Sequence, residues 1–160
     1  MNLFKIFFVL FYIFFSTYLV ADETKIDDNN TEFNIYTGMF DFSNDGKMLF
    51  VFDQTDDYSV KQYSLASAFD ISNATLVKNY EGTNIKAHEN FAHGMVFSAN
   101  GLKMFTTGAN ENTVLQFSLS TPFELRGKIN LDGEINLNNV TKLGGINFSN
   151  DGLKMFVTDY

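Results

Sequence analysis

A nine-residue segment occurs three times in this chain of 160 residues. Residues 148–156, Phe-Ser-Asn-Asp-Gly-Leu-Lys-Met-Phe, closely repeat residues 97–105 and, with more substitutions, residues 42–50. The first phenylalanines of the three copies lie 97 − 42 = 55 and 148 − 97 = 51 residues apart. A nearly constant period of this size indicates a repeat architecture, in which each repeat forms one supersecondary unit. The register of these repeats constrains the fold more than any other feature of the sequence.

Each copy carries Asp-Gly or Asn-Gly between apolar residues. These dipeptides favour two-residue type I′ turns, because both central residues of such a turn have a positive φ. We therefore predict two antiparallel strands joined by a tight turn, with the lysine of the return strand (Lys47, Lys103 or Lys154) on a solvated face. The residues predicted to have structural roles in the repeat are Phe42, Asp45, Gly46, Phe50, Phe97, Asn100, Gly101, Phe105, Phe148, Asp151, Gly152 and Phe156.

A second repeated block supports the same period. Residues 60–71 match residues 114–125, with identical Val, Gln, Ser, Leu and Phe and an offset of 114 − 60 = 54. Alternating apolar residues in and around both blocks predict four strands in each repeat. The predicted strands are 39–43, 47–52, 59–64 and 75–80 in the first repeat and 95–98, 103–107, 113–119 and 128–131 in the second.

Four short strands in each unit of about 50 residues predict an all-β fold built from antiparallel four-stranded β-propeller blades. Blade 1 is predicted at 38–93, blade 2 at 94–144 and the start of a truncated blade 3 at 145–160. Because a propeller closes with about 4–8 blades, this ring is incomplete, and we expect the chain to be the N-terminal part of a longer protein. Residues 32–37 are predicted to form a ring-closing strand. A β-sandwich of two similar halves is the alternative.

The repeated residues also resemble a known family. The pattern Phe-Ser-Asn-Asp-Gly-Leu-Lys-Met-Phe-Val, followed by Val-x-Gln-Tyr/Phe-Ser-Leu-Ser-Thr-Pro-Phe-Glu-Leu, resembles the repeats of YVTN/WD40-like β-propellers. Such repeats occur in bacterial extracytoplasmic proteins and in marine environmental sequences. The resemblance covers 38–160 and implies a propeller, but it implies almost nothing about activity. The first repeat departs from the pattern by one extra residue between Gly38 and Phe42, which we interpret as a β-bulge.

The N-terminus has the character of a targeting segment. Lys5 is the only charge in residues 1–21, residues 6–15 are all apolar, and Ala21 precedes an acidic stretch. This pattern predicts a secretory signal peptide at 1–21, followed by a polar linker at 22–31. An uncleaved N-terminal membrane anchor is the alternative, because the apolar stretch is close to the minimum that spans a bilayer. The remainder is expected to be secreted or periplasmic, with no membrane span once the signal is removed.

Composition excludes several classes of site. The chain has no Cys, which excludes disulfides and thiolate metal sites. A net charge of −8, without a run of Lys or Arg, argues against nucleic acid as a partner. No cofactor is predicted, although calcium or another divalent metal could enter a complete ring. The acidic loop at 53–57 lacks the Asp-x-Asp-x-Asp-Gly spacing of calcium loops, so we interpret it as a solvated loop.

Two histidines are the remaining candidates for chemistry. His88 and His93 are five residues apart, whereas the helical zinc motif needs a spacing of four, so this stretch is predicted to be a loop between strands without a metal. Since the first strand of a propeller blade faces the central channel, His93 and Glu89 are the candidate ligand-binding residues, and no catalytic residue is predicted. The sequence favours a binding scaffold for a protein or carbohydrate ligand. A lactonase-like hydrolase with a metal in the channel and a surface or adhesion protein are the alternatives.

Overall fold

A computed structural model describes residues 39–53, 58–80, 83–88 and 91–159. The chain divides into two units, Met1–Glu32 and Phe33–Tyr160, and every described residue belongs to the second unit. Several features predicted from the sequence lie outside the described residues: the signal peptide at 1–21, the linker at 22–31, the ring-closing strand at 32–37, Gly38, Glu89 and positions 54–57 of the acidic loop.

The described residues form ten strands and one short helix. In chain order these are β1 (Phe40–Phe42), β2 (Met48–Asp53), β3 (Ser59–Ser64), β4 (Thr75–Tyr80), α1 (Thr83–His88), β5 (Ala92–Phe97), β6 (Lys103–Gly108), β7 (Thr113–Leu119), β8 (Ile129–Asn136), β9 (Leu143–Phe148) and β10 (Met155–Asp159). The first sheet has the order β1-β2-β3-β4, the second sheet has the order β5-β6-β7-β8, and β9 and β10 form a third hairpin. All pairings are antiparallel, so the predicted all-β fold of four-stranded antiparallel units is confirmed.

Most strands lie where the sequence predicts them, and the exceptions have physical causes. The observed β3, β4 and β7 have the predicted bounds. The strand β5 begins at Ala92 rather than at 95, because Ala92 is buried and pairs with Gly108 across a bulge. The strand β8 continues to Asn136 rather than ending at 131, since it pairs with β7 along its whole length. The strand β8 is the exposed last strand of its sheet, so its sequence is polar and lacks the apolar alternation that would have predicted the full length.

The prediction of type I′ turns is wrong. In the three repeated turns only the glycines have a positive φ, with values of 66° at Gly46, 68° at Gly101 and 70° at Gly152. In the first turn the Gly46 N–H donates to Ser43 O over 2.8 Å, and the Ser43 N–H donates to Met48 O over 3.0 Å. The loop is therefore longer than two residues.

Side chains stabilise this longer turn. Ser43 Oγ accepts the Met48 N–H over 2.9 Å and donates to Asp45 Oδ1 over 2.6 Å. The same bonds recur around Ser98 and Ser149 in the other two turns. A serine two residues before Asx-Gly thus indicates the longer turn, because Ser and Asx side chains hydrogen-bond to nearby backbone groups in turns.

The turn glycines also make room for an aromatic ring from the connection between the third and fourth strands. A Cβ at Gly46 would lie 2.6 Å from the ring of Phe69, and a Cβ at Gly101 would overlap the ring of Phe123. In both repeats the phenylalanine N–H donates to the glycine carbonyl, over 2.8 Å in the first and 2.9 Å in the second. At Gly152, by contrast, no atom of the described residues lies within 4 Å of the Cβ position.

The first sheet is apolar on both sides. Because side chains alternate along a strand, Phe50 and Phe52 of β2 enter the main core, whereas Leu49 and Val51 join a smaller cluster with Leu65. The main core lies between the first and second sheets and contains buried residues from both. Its members are Met39, Phe50, Phe52, Val60, Ile85, Ala92, Met95, Phe97, Met104, Leu115, Phe117, Leu119 and Leu125.

The first sheet, the second sheet and the third hairpin are in contact through their first strands. The strand β5 contacts both β1 and β9, and β9 also contacts β6. The Thr107 hydroxyl of β6 donates to the Gly144 carbonyl of β9 over 2.5 Å. Stacked four-stranded antiparallel sheets whose first strands are neighbours are consistent with blades of a β-propeller. The described residues include no helix that is both long and apolar enough to cross a lipid bilayer.

Candidate functional site

His93 lies inside β5 rather than in a loop before it, so the prediction that 88–93 connects two strands is wrong. His88 is the last residue of α1, and His93 sits at the bulge between Ala92 and Gly94. The helix went unrecognised because six residues are too few to show helical periodicity. The half-buried His93 ring meets the ring of Phe91 edge-on, with 4.6 Å between centroids. That His93 and Glu89 contact a ligand stays a prediction.

The two histidines have different surroundings. His88 Nδ1 lies 2.5 Å from Glu134 Oε2, which fastens α1 to the last strand of the second sheet. Across the residues that the structure describes, no three His, Asp or Glu side chains are grouped so that they could hold a metal ion.

Asp41 connects the first strands of the two sheets. Its Oδ2 accepts the Phe97 N–H of β5 over 2.7 Å, and its Oδ1 accepts the Phe42 N–H over 2.8 Å. Burial raises the pKa of Asp41, and the two N–H donors act in the opposite direction. The repeat pattern could not identify this residue, because Val96 and Asn147 occupy the equivalent positions.

A buried glutamine clamps the first sheet to the second. The fully buried Gln62 of β3 donates from Nε2 to Phe123 O over 3.1 Å and accepts the Leu125 N–H at Oε1 over 2.8 Å. Its Nε2 also lies 3.6 Å from Met48 Sδ. Both backbone partners belong to the connection that follows β7. The signal for this residue was present in the sequence as a glutamine repeated within an apolar strand, at 62 and 116.

Three aromatic rings pack beside this clamp. The Phe50 and Phe97 centroids are 4.2 Å apart, and the Phe123 ring lies 6.4 Å from Phe50 and 5.8 Å from Phe97. The junction between the two sheets therefore combines aromatic packing with side-chain hydrogen bonds to backbone groups.

The second sheet carries a charged cluster on the side that faces the third hairpin. Asp132 Oδ2 accepts hydrogen bonds from Lys103 Nζ over 2.5 Å, Ser118 Oγ over 2.6 Å and Gln116 Nε2 over 2.9 Å. These donors, the Lys103 ammonium first, lower the pKa of Asp132 from 3.8 to about 2. Lys103 is half-buried, unlike the exposed Lys47 and Lys154, so the predicted solvated position holds for only two of the three lysines.

We expect the Asp132 carboxyl to titrate near pH 2 and the substitution Lys103→Ala to move its midpoint towards 3.8. Because the pKa is lower in the folded chain, the stabilisation from this carboxylate is present above pH 3.8 and is lost as the pH falls towards 2. Carboxyl carbon shifts in an NMR titration report the midpoint directly. Lys128→Ala is the matched control, since Lys128 is exposed and away from Asp132. An unchanged midpoint in Lys103→Ala would show that the ammonium is not the cause.

A groove opens at the junction of the two sheets. Its volume is about 390 Å³, and it lies between the first repeated turn and the connection after β7. The Asn44 side chain crosses the junction by donating to Ala99 O. Asp45 and Lys47 line one side, and Thr121 and Glu124 line the other. The groove could not be predicted from the sequence, because its two walls are 121 − 47 = 74 residues apart.

Comparisons with known proteins support the fold. No protein-family model matches the chain, and no curated protein sequence matches it. The structure is similar to the crystal structure of a candidate 6-phosphogluconolactonase from Bacteroides uniformis, with a TM-score of 0.54 and 13% sequence identity. The match covers 74% of this chain and 31% of that chain, so this chain spans less than a third of that protein. At this identity the similarity concerns the propeller-like fold alone, and the YVTN/WD40-like family stays a prediction.

Proposed function

We propose that this chain is part of an extracytoplasmic β-propeller that serves as a binding scaffold, and that its groove binds a carbohydrate or a short polar peptide. The signal peptide, the secreted or periplasmic location and the YVTN/WD40-like family belong to the same proposal. The observation that carries it is the groove of about 390 Å³ at the junction of the two sheets. That volume is in the range of small-ligand sites, roughly 300–1,000 Å³.

The walls of the groove are held in place before any ligand arrives. On one side, Ser43 and Asp45 are bonded to each other and to the turn backbone. On the other, Gln62 fixes the carbonyl of Phe123 and the N–H of Leu125. A site that is already ordered loses less entropy on binding, which raises affinity without additional contacts.

The lining of the groove suits a polar ligand with one apolar face. Asn44, Lys47 and Thr121 provide hydrogen-bonding groups, while Phe123 and Pro122 provide apolar surface. Hydroxyl groups of a sugar or amides of a peptide could use the polar side chains. The apolar face of the same ligand would pack on the ring.

A lactonase-like hydrolase is the second candidate. Its support is the fold similarity to the candidate 6-phosphogluconolactonase, together with the position of His93 on the first strand of the second sheet. In that case the site would lie at the first strands rather than in the groove, and a lactone would be the substrate class.

Binding of the purified 160-residue chain to immobilised glycans and peptides tests the proposal. Lys47→Ala is expected to weaken binding about tenfold or more, because a hydrogen bond to a charged group is worth about 1.5–3 kcal/mol. Lys154→Ala, an exposed lysine of the third hairpin, is the matched control and should bind normally. Loss of binding in His93→Ala alone would move the site to the first strands. Hydrolysis of 6-phosphogluconolactone that requires His93, without binding to the arrays, would replace the scaffold by the second candidate.

A further inference from the structure

The second sheet repeats the face by which the first sheet holds its neighbour. In the first sheet Phe50 pairs directly with Gln62, and in the second sheet Phe105 pairs directly with Gln116. Directly opposed residues of an antiparallel pair share one face. Gln116 therefore has the same position beside Phe105 that Gln62 has beside Phe50.

We call the contact between the first and second sheets the first junction, and that between the second sheet and the third hairpin the second junction. The second junction contains two of the three aromatic rings of the first. Phe105 and Phe148 are 4.6 Å apart with 46° between their planes, close to the 4.2 Å and 37° of Phe50 and Phe97. In the first junction a third ring, Phe123, completes the cluster.

The place of that third ring is open in the second junction. Phe123 lies against Gly101 of its own repeat. At the equivalent Gly152 of the third hairpin, no atom from the described part of the chain lies within 4 Å of the Cβ position. A Phe ring would fit above Gly152 as it does above Gly101.

Gln116 also offers the hydrogen-bonding groups that a connection equivalent to 123–125 would need. Gln62 uses both ends of its carboxamide, one for Phe123 O and one for the Leu125 N–H. The nitrogen of Gln116 donates one hydrogen to Asp132. A carboxamide has two N–H donors and one carbonyl oxygen, so the second hydrogen and Oε1 of Gln116 are without partners among the described residues.

The third hairpin exposes apolar side chains whose equivalents in the first repeat are buried. Phe156 is 56% exposed and Met155 is 37% exposed, while their equivalents Phe50 and Leu49 are 0% and 4% exposed. Within the described residues β10 pairs only with β9, so its other edge can accept a strand.

We propose that Gln116, Phe105, Phe148 and Gly152 form the docking site for a further copy of the repeat's second hairpin, one that carries Phe-Glu/Asp-Leu/Ile after its first strand. The phenylalanine ring lies on Gly152 between the two aromatic rings, and its carbonyl and the N–H two residues later bond to Gln116. The strand that precedes it adds to the edge of β10. The occupant is inferred from continuity with the first junction, where the segment Thr113–Asn136 makes these contacts. The proposal rests on the repeat geometry and not on the proposed binding function.

A labelled peptide with the sequence of residues 113–136 tests the site directly. We expect saturable one-to-one binding to the 160-residue chain in fluorescence anisotropy, with slowed hydrogen exchange in β10. Gln116→Ala in the chain removes two hydrogen bonds and is expected to weaken binding about tenfold. Gly152→Ala in the chain fills the space proposed for the phenylalanine ring, and Phe123→Ala in the peptide removes that ring. Each variant should weaken binding at least as much. Asn138→Ala in the chain and Lys128→Ala in the peptide are controls that should bind normally.

Equal binding by the wild-type chain and by Gln116→Ala and Gly152→Ala would overturn the proposal, as would equal binding of the Phe123→Ala peptide. A concentration-dependent dimer that Gln116→Ala abolishes, with no peptide binding, would make a second copy of the chain the occupant instead. Co-expression with the peptide on a carrier protein gives a second readout. The soluble yield of the wild-type chain should rise, and that of Gln116→Ala should not. Failure of the glycan and peptide arrays would leave these outcomes unaffected.

Discussion

Phe50→Ala is expected to lower the free energy of unfolding by about 3–5 kcal/mol, the range for truncating a buried phenylalanine. The ring is 0% exposed and contacts Phe97 and Phe123, so its removal leaves a cavity at the junction of the two sheets. Neither neighbour can relax fully into that space, because each is fixed by its own backbone bonds: Phe97 by Asp41 and Phe123 by Gln62. Urea denaturation of the full chain, followed by far-ultraviolet circular dichroism, measures the change.

The repeat supplies a matched control for this substitution. Phe156 occupies the same position in the third hairpin but is 56% exposed, so Phe156→Ala should change stability by about 0.5 kcal/mol or less, as exposed substitutions do. Phe105→Ala should fall between the two, because Phe105 is half-buried against Phe148. Equal losses in Phe50→Ala and Phe156→Ala would show that the third hairpin is as well packed in solution as the first junction.

The strands were predictable because their information is local and occurs more than once. The alternation in 59–64 and 113–119 specifies which side chains enter the core. Because the two segments match, the strand bounds predicted in one repeat support those predicted in the other. The turn type was not predictable from Asp-Gly alone. Ser43 diverts the chain into a longer loop by accepting a backbone N–H and binding Asp45, and this competes with the type I′ geometry.

The junction contacts depend on pairs that the sequence separates widely. Gln62 and Phe123 are 61 residues apart, and Asp41 and Phe97 are 56 apart. No local pattern shows which face of a strand meets which loop of the next repeat. The repeated glutamine was visible, but its partner could be identified only once the sheets were stacked. His93 was predicted before the first strand of the second repeat, whereas it lies inside β5. Both walls of the groove belong to repeated segments, but the sequence does not show that the two segments are neighbours.

Gln62→Ala is expected to destabilise the chain by about 3–5 kcal/mol, because it leaves a partly buried carbonyl and a buried N–H unsatisfied at a cost of about 1–3 kcal/mol each, in addition to lost packing. The carbonyl belongs to Phe123 and the N–H to Leu125. Gln116→Ala is the matched control and should cost about 1 kcal/mol or less, since Gln116 is half-buried and loses one bond to an exposed carboxylate. Equal losses of stability in the two variants would show that the hydrogen bonds of Gln62 to Phe123 and Leu125 do not stabilise the chain more than the single bond of Gln116 does.

A replacement that can ionise makes the contribution of position 62 depend on pH. In Gln62→Glu the protonated acid can donate to Phe123 O and accept the Leu125 N–H, as the glutamine does. The ionised form has no donor and is buried beside a carbonyl, so burial raises the pKa of the introduced carboxyl above its unfolded value of about 4.3. The sign follows from linkage: the variant should be closest to wild-type stability below pH of about 4 and should lose stability as the pH rises through the folded pKa. A stability difference from wild type that is constant between pH 4 and 8 would contradict this prediction, because it would mean that the carboxyl has the same pKa in the folded and the unfolded chain.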